Sequence, residues 1–342
     1  MKREELLKAI NRRIQTGRDF DAQYSIHGIP YTIIFQTPDP ENDISFPSMI
    51  AIPMVKADKI GKQMILETNT RETNIMDVQL EHAMEIGMNL IRIVRQKPSV
   101  VVVPLIPSEI DSPYYQQLSK ECFEQNPGDK TYRIDEQIVR LIEKAKRTVR
   151  KTNGIDLEDK IFLNGYSSSG VFAQRFALLH PDLISAVCIG GASGSIPIPN
   201  KEFDYPIGIA DFEELTGKQF DMESYKKIAF TYYVGELEGD EKDYTRFDEY
   251  GNPVPMHDMS YLHESVPTDV GIKQRALLGK DLLERAQKTV DIVKGMGIKI
   301  KHTVVLGREH NNKNGKGIQE IGDKIIDDAY KESRGDRVIE FE

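Results

Sequence analysis

Gly165-Tyr166-Ser167-Ser168-Ser169-Gly170 is the stretch of this 342-residue sequence whose residue types and spacing could do covalent chemistry. The apolar run Ile161-Phe162-Leu163 leads into it, and the helical pattern Val171-Phe172-Ala173-Gln174-Arg175-Phe176 leads out. A serine at the tip of a tight strand-to-helix turn holds its hydroxyl exposed at the end of a sheet, the setting of a nucleophile elbow. Such a turn is strained, so the residues two before and two after the nucleophile must be small. Ser167 meets that condition, with Gly165 before it and Ser169 after. Ser168 meets it less well, because Tyr166 would occupy a small position. The pattern departs from G-x-S-x-G only at Ser169, a residue nearly as small as glycine.

The elements that must position this turn follow from periodicity. Residues 1–19 read as an amphipathic helical extension with Leu6, Leu7, Ile10 and Ile14 on one face. Residues 31–35 and 48–53 are β-rich runs separated by a Pro/Asp/Asn loop, which predicts an antiparallel pair. Strand and helix patterns then alternate: strands over 63–67, 100–105, 160–164, 183–189, 228–234 and 298–306, with helices over 75–95, 132–151, 273–295 and 317–332. Continuous Val/Ile runs predict strands covered on both faces, hence an α/β fold with a mostly parallel, doubly wound sheet and helices on both sides. Two stretches break the alternation. Residues 190–227 read as an inserted lid-like or peripheral segment, and 236–269 as an acidic, irregular insertion. The whole chain, 1–342, reads as one domain.

Composition narrows the function classes. Forty-five basic against fifty-four acidic residues give a net charge of −9 without a basic block, which argues against nucleic acid or an anionic membrane as partner. The N-terminal residues alternate charged and apolar types, which predicts no signal peptide. No apolar run approaches a membrane span. Cys188 lies in an apolar strand pattern and reads as a buried small hydrophobe, so two cysteines fit a reducing cytoplasm. Oligomeric state leaves no mark in the sequence.

A serine hydroxyl is a weak nucleophile and needs a base, usually histidine, whose tautomer an acid must fix. Seven histidines are available. His302 falls within a predicted strand, His257 and His263 in the loop before it, and His180 at a helix end, where it would meet terminal carbonyls. His310 lies just past the last strand, with Gly307 to permit a turn. Several carboxylates, Glu236, Glu238, Asp240 and Asp243, follow the strand ending at Gly235. A second requirement is a pair of backbone N–H groups aimed at the developing oxyanion. One would be Ser168 N–H; the other would come from the loop after the third strand, Thr68-Asn69-Thr70-Arg71.

With these residues in place the chain resembles the α/β-hydrolase superfamily, in the esterase branch that includes polyhydroxyalkanoate-depolymerase-like and feruloyl-esterase-like proteins. Asn164 to Gly170, Phe172 to Phe176 and Leu179-His180-Pro181 carry the resemblance, and the order of elements extends it from about residue 45 to the C-terminus. It implies the chain order nucleophile, acid, base, and so Ser167, a carboxylate of the 236–243 loop, and His310; His27 and His82 precede the elbow. The third position after the strand-ending Gly235 points to Glu238, with Asp240 as the alternative acid. The implied activity is cleavage of a small-molecule carboxylic ester through an acyl-enzyme intermediate, with no cofactor and no metal. Peptidase or amidase activity and a noncatalytic binding role are the competing readings.

Other motifs fail on spacing. Gly190-Gly191-Ala192-Ser193-Gly194 lacks the G-x-G pattern of a dinucleotide site and reads as a loop near the elbow. Gly315-Lys316-Gly317 is no P-loop, His263-Glu264 lacks a second zinc-ligand histidine, and the 236–249 carboxylates lack the spacing of a calcium loop.

Overall fold

The computed structural model describes residues 8–10, 12–13, 16, 18–69, 75–107, 115–192, 196–239, 245–247, 253–255, 276–279, 282–310 and 316–336. Eleven strands are assigned among them: β1 (Phe20–Ile26), β2 (Ile29–Gln36), β3 (Ser48–Pro53), β4 (Gly61–Leu66), β5 (Ser99–Pro104), β6 (Ile161–Tyr166), β7 (Ile184–Gly190), β8 (Ala229–Gly235), β9 (Thr245–Phe247), β10 (Pro253–Pro255) and β11 (Ile300–Val305). The principal helices are α1 (Met76–Ile93), α2 (Ile134–Asn153), α3 (Ser168–Leu179), α4 (Leu282–Gly295) and α5 (Lys316–Ser333).

Nine strands form one sheet in the order β1-β2-β3-β5-β4-β6-β7-β8-β11. β1, β2 and β3 pair antiparallel, β3 meets β5 antiparallel, and every pair from β5 to β11 is parallel. The expected pairing of 31–35 with 48–53 is therefore present as β2 and β3. β1 is an addition to the sequence reading, although its inward-facing Phe20, Ala22, Tyr24 and Ile26 alternate with outward residues in strand fashion. His27 and Gly28, with φ of 49° and 80°, close the β1–β2 hairpin in the doubly left-handed turn that matches strand twist.

Successive residues of each central strand feed opposite faces. Val100 and Val102 of β5 join the core beneath α2, α3 and α4, while Val101 and Val103 join the core beneath α1 and α5. Both faces are thus covered, which is why these strands read as unbroken apolar runs. Ile198, Tyr205, Phe212 and Tyr225, from the 190–227 stretch, pack into the first of these cores. Within 236–269, read as irregular, Glu236–Gly239 form a short 3-10 turn and β9 and β10 pair antiparallel; the other residues of that stretch, like Leu6, Leu7 and Ile14 of the N-terminal extension, lie outside the described residues.

His180 does not meet helix carbonyls. Its Nε2 lies 3.0 Å from Asp135 Oδ2, and both groups are buried, so the pair ties the end of α3 to the start of α2. Arg133 donates two hydrogen bonds to the same carboxylate. Burial works against the Asp135 charge, but the Arg133 and His180 hydrogen bonds outweigh it and hold the carboxyl well below the usual range. Asp135, Glu136 and His180 bring ligand atoms within 4.8 Å of one another, yet Arg133 and Lys218 already supply the positive charge at this node. Among the described residues no helix is long and apolar enough to cross a membrane.

Candidate active site

Parallel strands end on the same edge of a sheet, so residues just past β4, β6, β8 and β11 converge although they are far apart in sequence. Ser167 follows β6 and holds φ 56° and ψ −121°, a conformation costly for a side-chain-bearing residue. The surroundings enforce it: Ser167 N–H donates to Gly190 O at 2.8 Å, and its carbonyl accepts from Val171 N–H at 3.0 Å. A Cβ on Gly165 would lie 2.2 Å from the Ser169 carbonyl oxygen and 2.5 Å from Gly170 N, backbone atoms that cannot yield without moving the elbow. Gly165→Ala is expected to destabilise the protein by about 1–3 kcal/mol, read by urea denaturation, and to lower activity beyond the loss of folded protein.

The structure brings Ser167, His310 and Glu238 into one hydrogen-bonded line. His310 Nε2 lies 3.0 Å from Ser167 Oγ, and His310 Nδ1 lies 2.6 Å from Glu238 Oε2. A carboxylate can only accept, so Nδ1 carries the proton and Nε2 is left to accept from the Ser167 hydroxyl. The Glu238 side chain is wholly removed from solvent, whereas His310 keeps 24% of its side-chain surface exposed, so the imidazole, unlike the carboxylate, opens toward solvent. Asp240, the alternative acid, lies outside the described residues.

Backbone contacts stitch the acid-bearing and base-bearing loops together. Gly235 N–H donates to Glu238 Oε1 at 2.8 Å, Leu237 N–H to the Arg308 carbonyl at 3.0 Å, and Gly307 N–H to Glu236 Oε2 at 2.9 Å. Tyr166 completes the bracket: its hydroxyl lies 3.3 Å from Glu238 Oε1 and 3.1 Å from the His310 carbonyl, and its ring lies 5.4 Å from the imidazole. Burial pushes the Tyr166 phenol up, and the Glu238 charge adds to the effect, so the hydroxyl stays a donor. The Arg308 guanidinium stands 4.8 Å over the Tyr166 ring and 5.2 Å over that of Tyr233. Gly191, at φ 51°, passes so close to Tyr166 and Glu238 that a Cβ there would lie 2.8 Å from each, and a Cβ on Gly190, the last residue of β7, would lie 2.2 Å from the Tyr233 ring and 2.6 Å from that of Tyr166.

No family model matches the sequence, and no curated protein matches it. Solved structures do. Poly(aspartic acid) hydrolase-1 from Sphingomonas sp. KT-1 superposes with a TM-score of 0.53 at 15% identity, covering 90% of this chain and 98% of its own. LpqC, a poly(3-hydroxybutyrate) depolymerase from Bordetella parapertussis, superposes with a TM-score of 0.51 at 13% identity, covering 98% of this chain and 95% of its own. The chain has the α/β-hydrolase fold.

On this α/β-hydrolase fold the oxyanion donors expected from sequence are placed unequally. Ser168 opens α3, so its N–H belongs to the first turn, which has no intrahelical partner, while its hydroxyl accepts from Gln117 Nε2 at 3.0 Å. Asn69 is corrected by the structure: its N–H is spent on the Pro104 carbonyl at 3.3 Å, and its side chain accepts from Ile106 N–H at 2.8 Å. It props the loop rather than facing a substrate. Thr68 is fully buried and Thr70 lies outside the described residues. Sequence reasoning missed Tyr166, Arg308 and Glu67, which line one cavity of about 480 Å³ with Ser167, Ser169 and Asn164, between α1 and α5. Only Tyr166 had a local signal, its place next to the nucleophile.

Proposed function

We propose that the protein is a serine hydrolase that cleaves a carboxylic ester through an acyl-enzyme intermediate. The observation that carries this reading is the line Ser167 Oγ, His310 Nε2, His310 Nδ1 and Glu238 Oε2, with steps of 3.0 and 2.6 Å. Ser167 Oγ attacks the ester carbonyl carbon while its proton passes to His310 Nε2, and Glu238 stabilises the resulting imidazolium through Nδ1–H. The carbonyl oxygen takes up the negative charge beside Ser168 N–H. Collapse of the tetrahedral adduct breaks the ester C–O bond, the departing alkoxide takes the proton from Nε2, and the acyl group remains on Ser167. Water then repeats the attack, giving its proton to His310, which returns it to Ser167 Oγ as the acid leaves.

The two similar structures named above are a hydrolase and a depolymerase by description, which supports hydrolysis on this scaffold. The two buried thiols, Cys122 and Cys188, unpaired with each other, support a reducing cytoplasm as its setting. A fluorophosphonate should label one serine per chain, Ser167, as mass spectrometry of the digest would report. p-Nitrophenyl acyl esters should turn over and aminoacyl anilides should not. Anilide cleavage at comparable rates would make the protein an amidase or peptidase, and absence of labelling would make it a noncatalytic member of the fold.

A further inference from the structure

Ser169 is where the elbow departs from its motif, and the structure gives that departure a partner. Its Oγ accepts the Tyr166 backbone N–H at 2.8 Å and lies 3.1 Å from Glu67 Oε1. Glu67 Oε2 accepts from Asn164 Nδ2 at 2.6 Å, so one carboxyl grips the strand before the nucleophile and the helix after it. Asn164 Oδ1 is buried and has no hydrogen-bond partner among the described residues, so the amide is held through its Nδ2 donation to Glu67. Neither Ser167, His310 nor Glu238 touches Glu67 in these contacts.

We propose that Glu67 is a positioning residue for the hydrolytic reaction, a proton-dependent latch that acts on the elbow through Ser169; this rests on the serine-hydrolase reading above. The Ser169 hydroxyl has two acceptors, Glu67 Oε1 and the Tyr166 carbonyl at 3.0 Å. When Glu67 is ionised, Ser169 O–H donates to it and Asn164 to the other oxygen, and the carboxylate pulls both sides of the elbow together. When Glu67 gains a proton, its O–H donates to Ser169 Oγ, and the Ser169 proton turns to the Tyr166 carbonyl. That carbonyl belongs to the peptide joining Tyr166 to Ser167, so the load shifts onto the strained residue itself.

The latch is able to titrate in the working range. Burial pushes the Glu67 carboxyl up to about 6, against the pull of the Asn164 and Ser169 hydrogen bonds. The cavity it lines runs out to the exposed Glu85 and Asn89 of α1, which gives a proton a polar route to solvent. Facing groups are Cys188 of β7 and Tyr233 of β8, both pushed up by burial and so uncharged, with His82, Glu85 and Arg92 of α1, Arg308, and Asp323 of α5, which pairs with Arg92 at 2.6 Å.

The test is the pH dependence of kcat/KM for a p-nitrophenyl ester, with the fraction of competent Ser167 titrated by fluorophosphonate. In wild type, log kcat/KM should fall in acid with a slope steeper than one across the pH unit or so in which Glu67 gains its proton, returning to one below it, because the base must be free of its proton and protonation of Glu67 costs about a further tenfold. Glu67→Gln and Ser169→Ala should each reduce the slope to about one and lower kcat about tenfold, with KM little changed. The double variant should lose no more than either single one, since both break one latch. His82→Asn, which lines the same cavity, should keep the steeper slope. A slope unchanged in both Glu67→Gln and Ser169→Ala, with stoichiometric labelling, overturns the latch and leaves the hydrolase reading standing. Wild type that takes up no label overturns that reading instead. Should Glu67→Gln fail to fold, Ser169→Ala alone decides.

Discussion

Ser167→Ala should lower turnover of a p-nitrophenyl ester by about 10⁵–10⁶-fold while leaving the urea midpoint within experimental error of wild type. The loss is large because the methyl group cannot attack a carbonyl, and the residual rate reflects only binding and the oxyanion donor. The fold should survive because the elbow is held through backbone groups, Ser167 N–H to Gly190 O and Ser167 O to Val171 N–H, and the Ser167 hydroxyl contributes only its contact with His310. Ser168→Ala is the contrast. It removes the hydroxyl that meets Gln117 but keeps the backbone N–H at the start of α3, so substantial turnover should remain. Inactivity of the Ser168 variant together with activity of the Ser167 variant would reverse the assignment within the elbow.

Glu238→Gln should reduce kcat by about 10⁴-fold with little change in KM. The direction follows from the donors around the carboxylate. Gly235 N–H and the Tyr166 hydroxyl both point at Oε1, so the amide oxygen of a glutamine will settle there, and its NH₂ will face His310 Nδ1. That NH₂ can only donate. Nδ1 must then give up its proton and Nε2 must carry it, so the imidazole presents a hydrogen to Ser167 where it should present a lone pair. A kcat within threefold of wild type would remove Glu238 from the catalytic line, and Asp240→Asn, assayed beside it, would show whether that neighbour takes the role.

The elbow was legible in the sequence because everything that defines it is local. Gly165, Ser167 and Gly170 are set by a turn only a few residues long, and the period of the flanking residues changes from strand to helix across it. The parallel sheet was legible for a related reason: burial on both faces leaves unbroken Val and Ile runs, as in β5. β1 escaped because its Asp21, Gln23 and Ser25 face outward at a sheet edge, which lowers its apolar content to that of a loop. His310 could be singled out by its place after a terminal strand, and Glu238 was favoured over its acidic neighbours only by its third position after the strand-ending Gly235, a feature of the resemblance rather than of the loop's own chemistry.

What only the tertiary structure decided is which groups meet. Strand order and register carry Glu238 to His310 across 72 residues and His310 to Ser167 across 143. The same register spends the Asn69 N–H on Pro104, which no reading of the loop after β4 could foresee. Glu67 is the sharpest case. In sequence it is one polar residue at the end of an apolar strand, and in the fold it is a buried acid 97 residues from Asn164 and 102 from Ser169 that holds both. Periodicity and turn chemistry record the conformation of a segment, whereas convergence at the sheet edge is a property of how segments are ordered side by side, and a residue's own neighbours in sequence carry no trace of it.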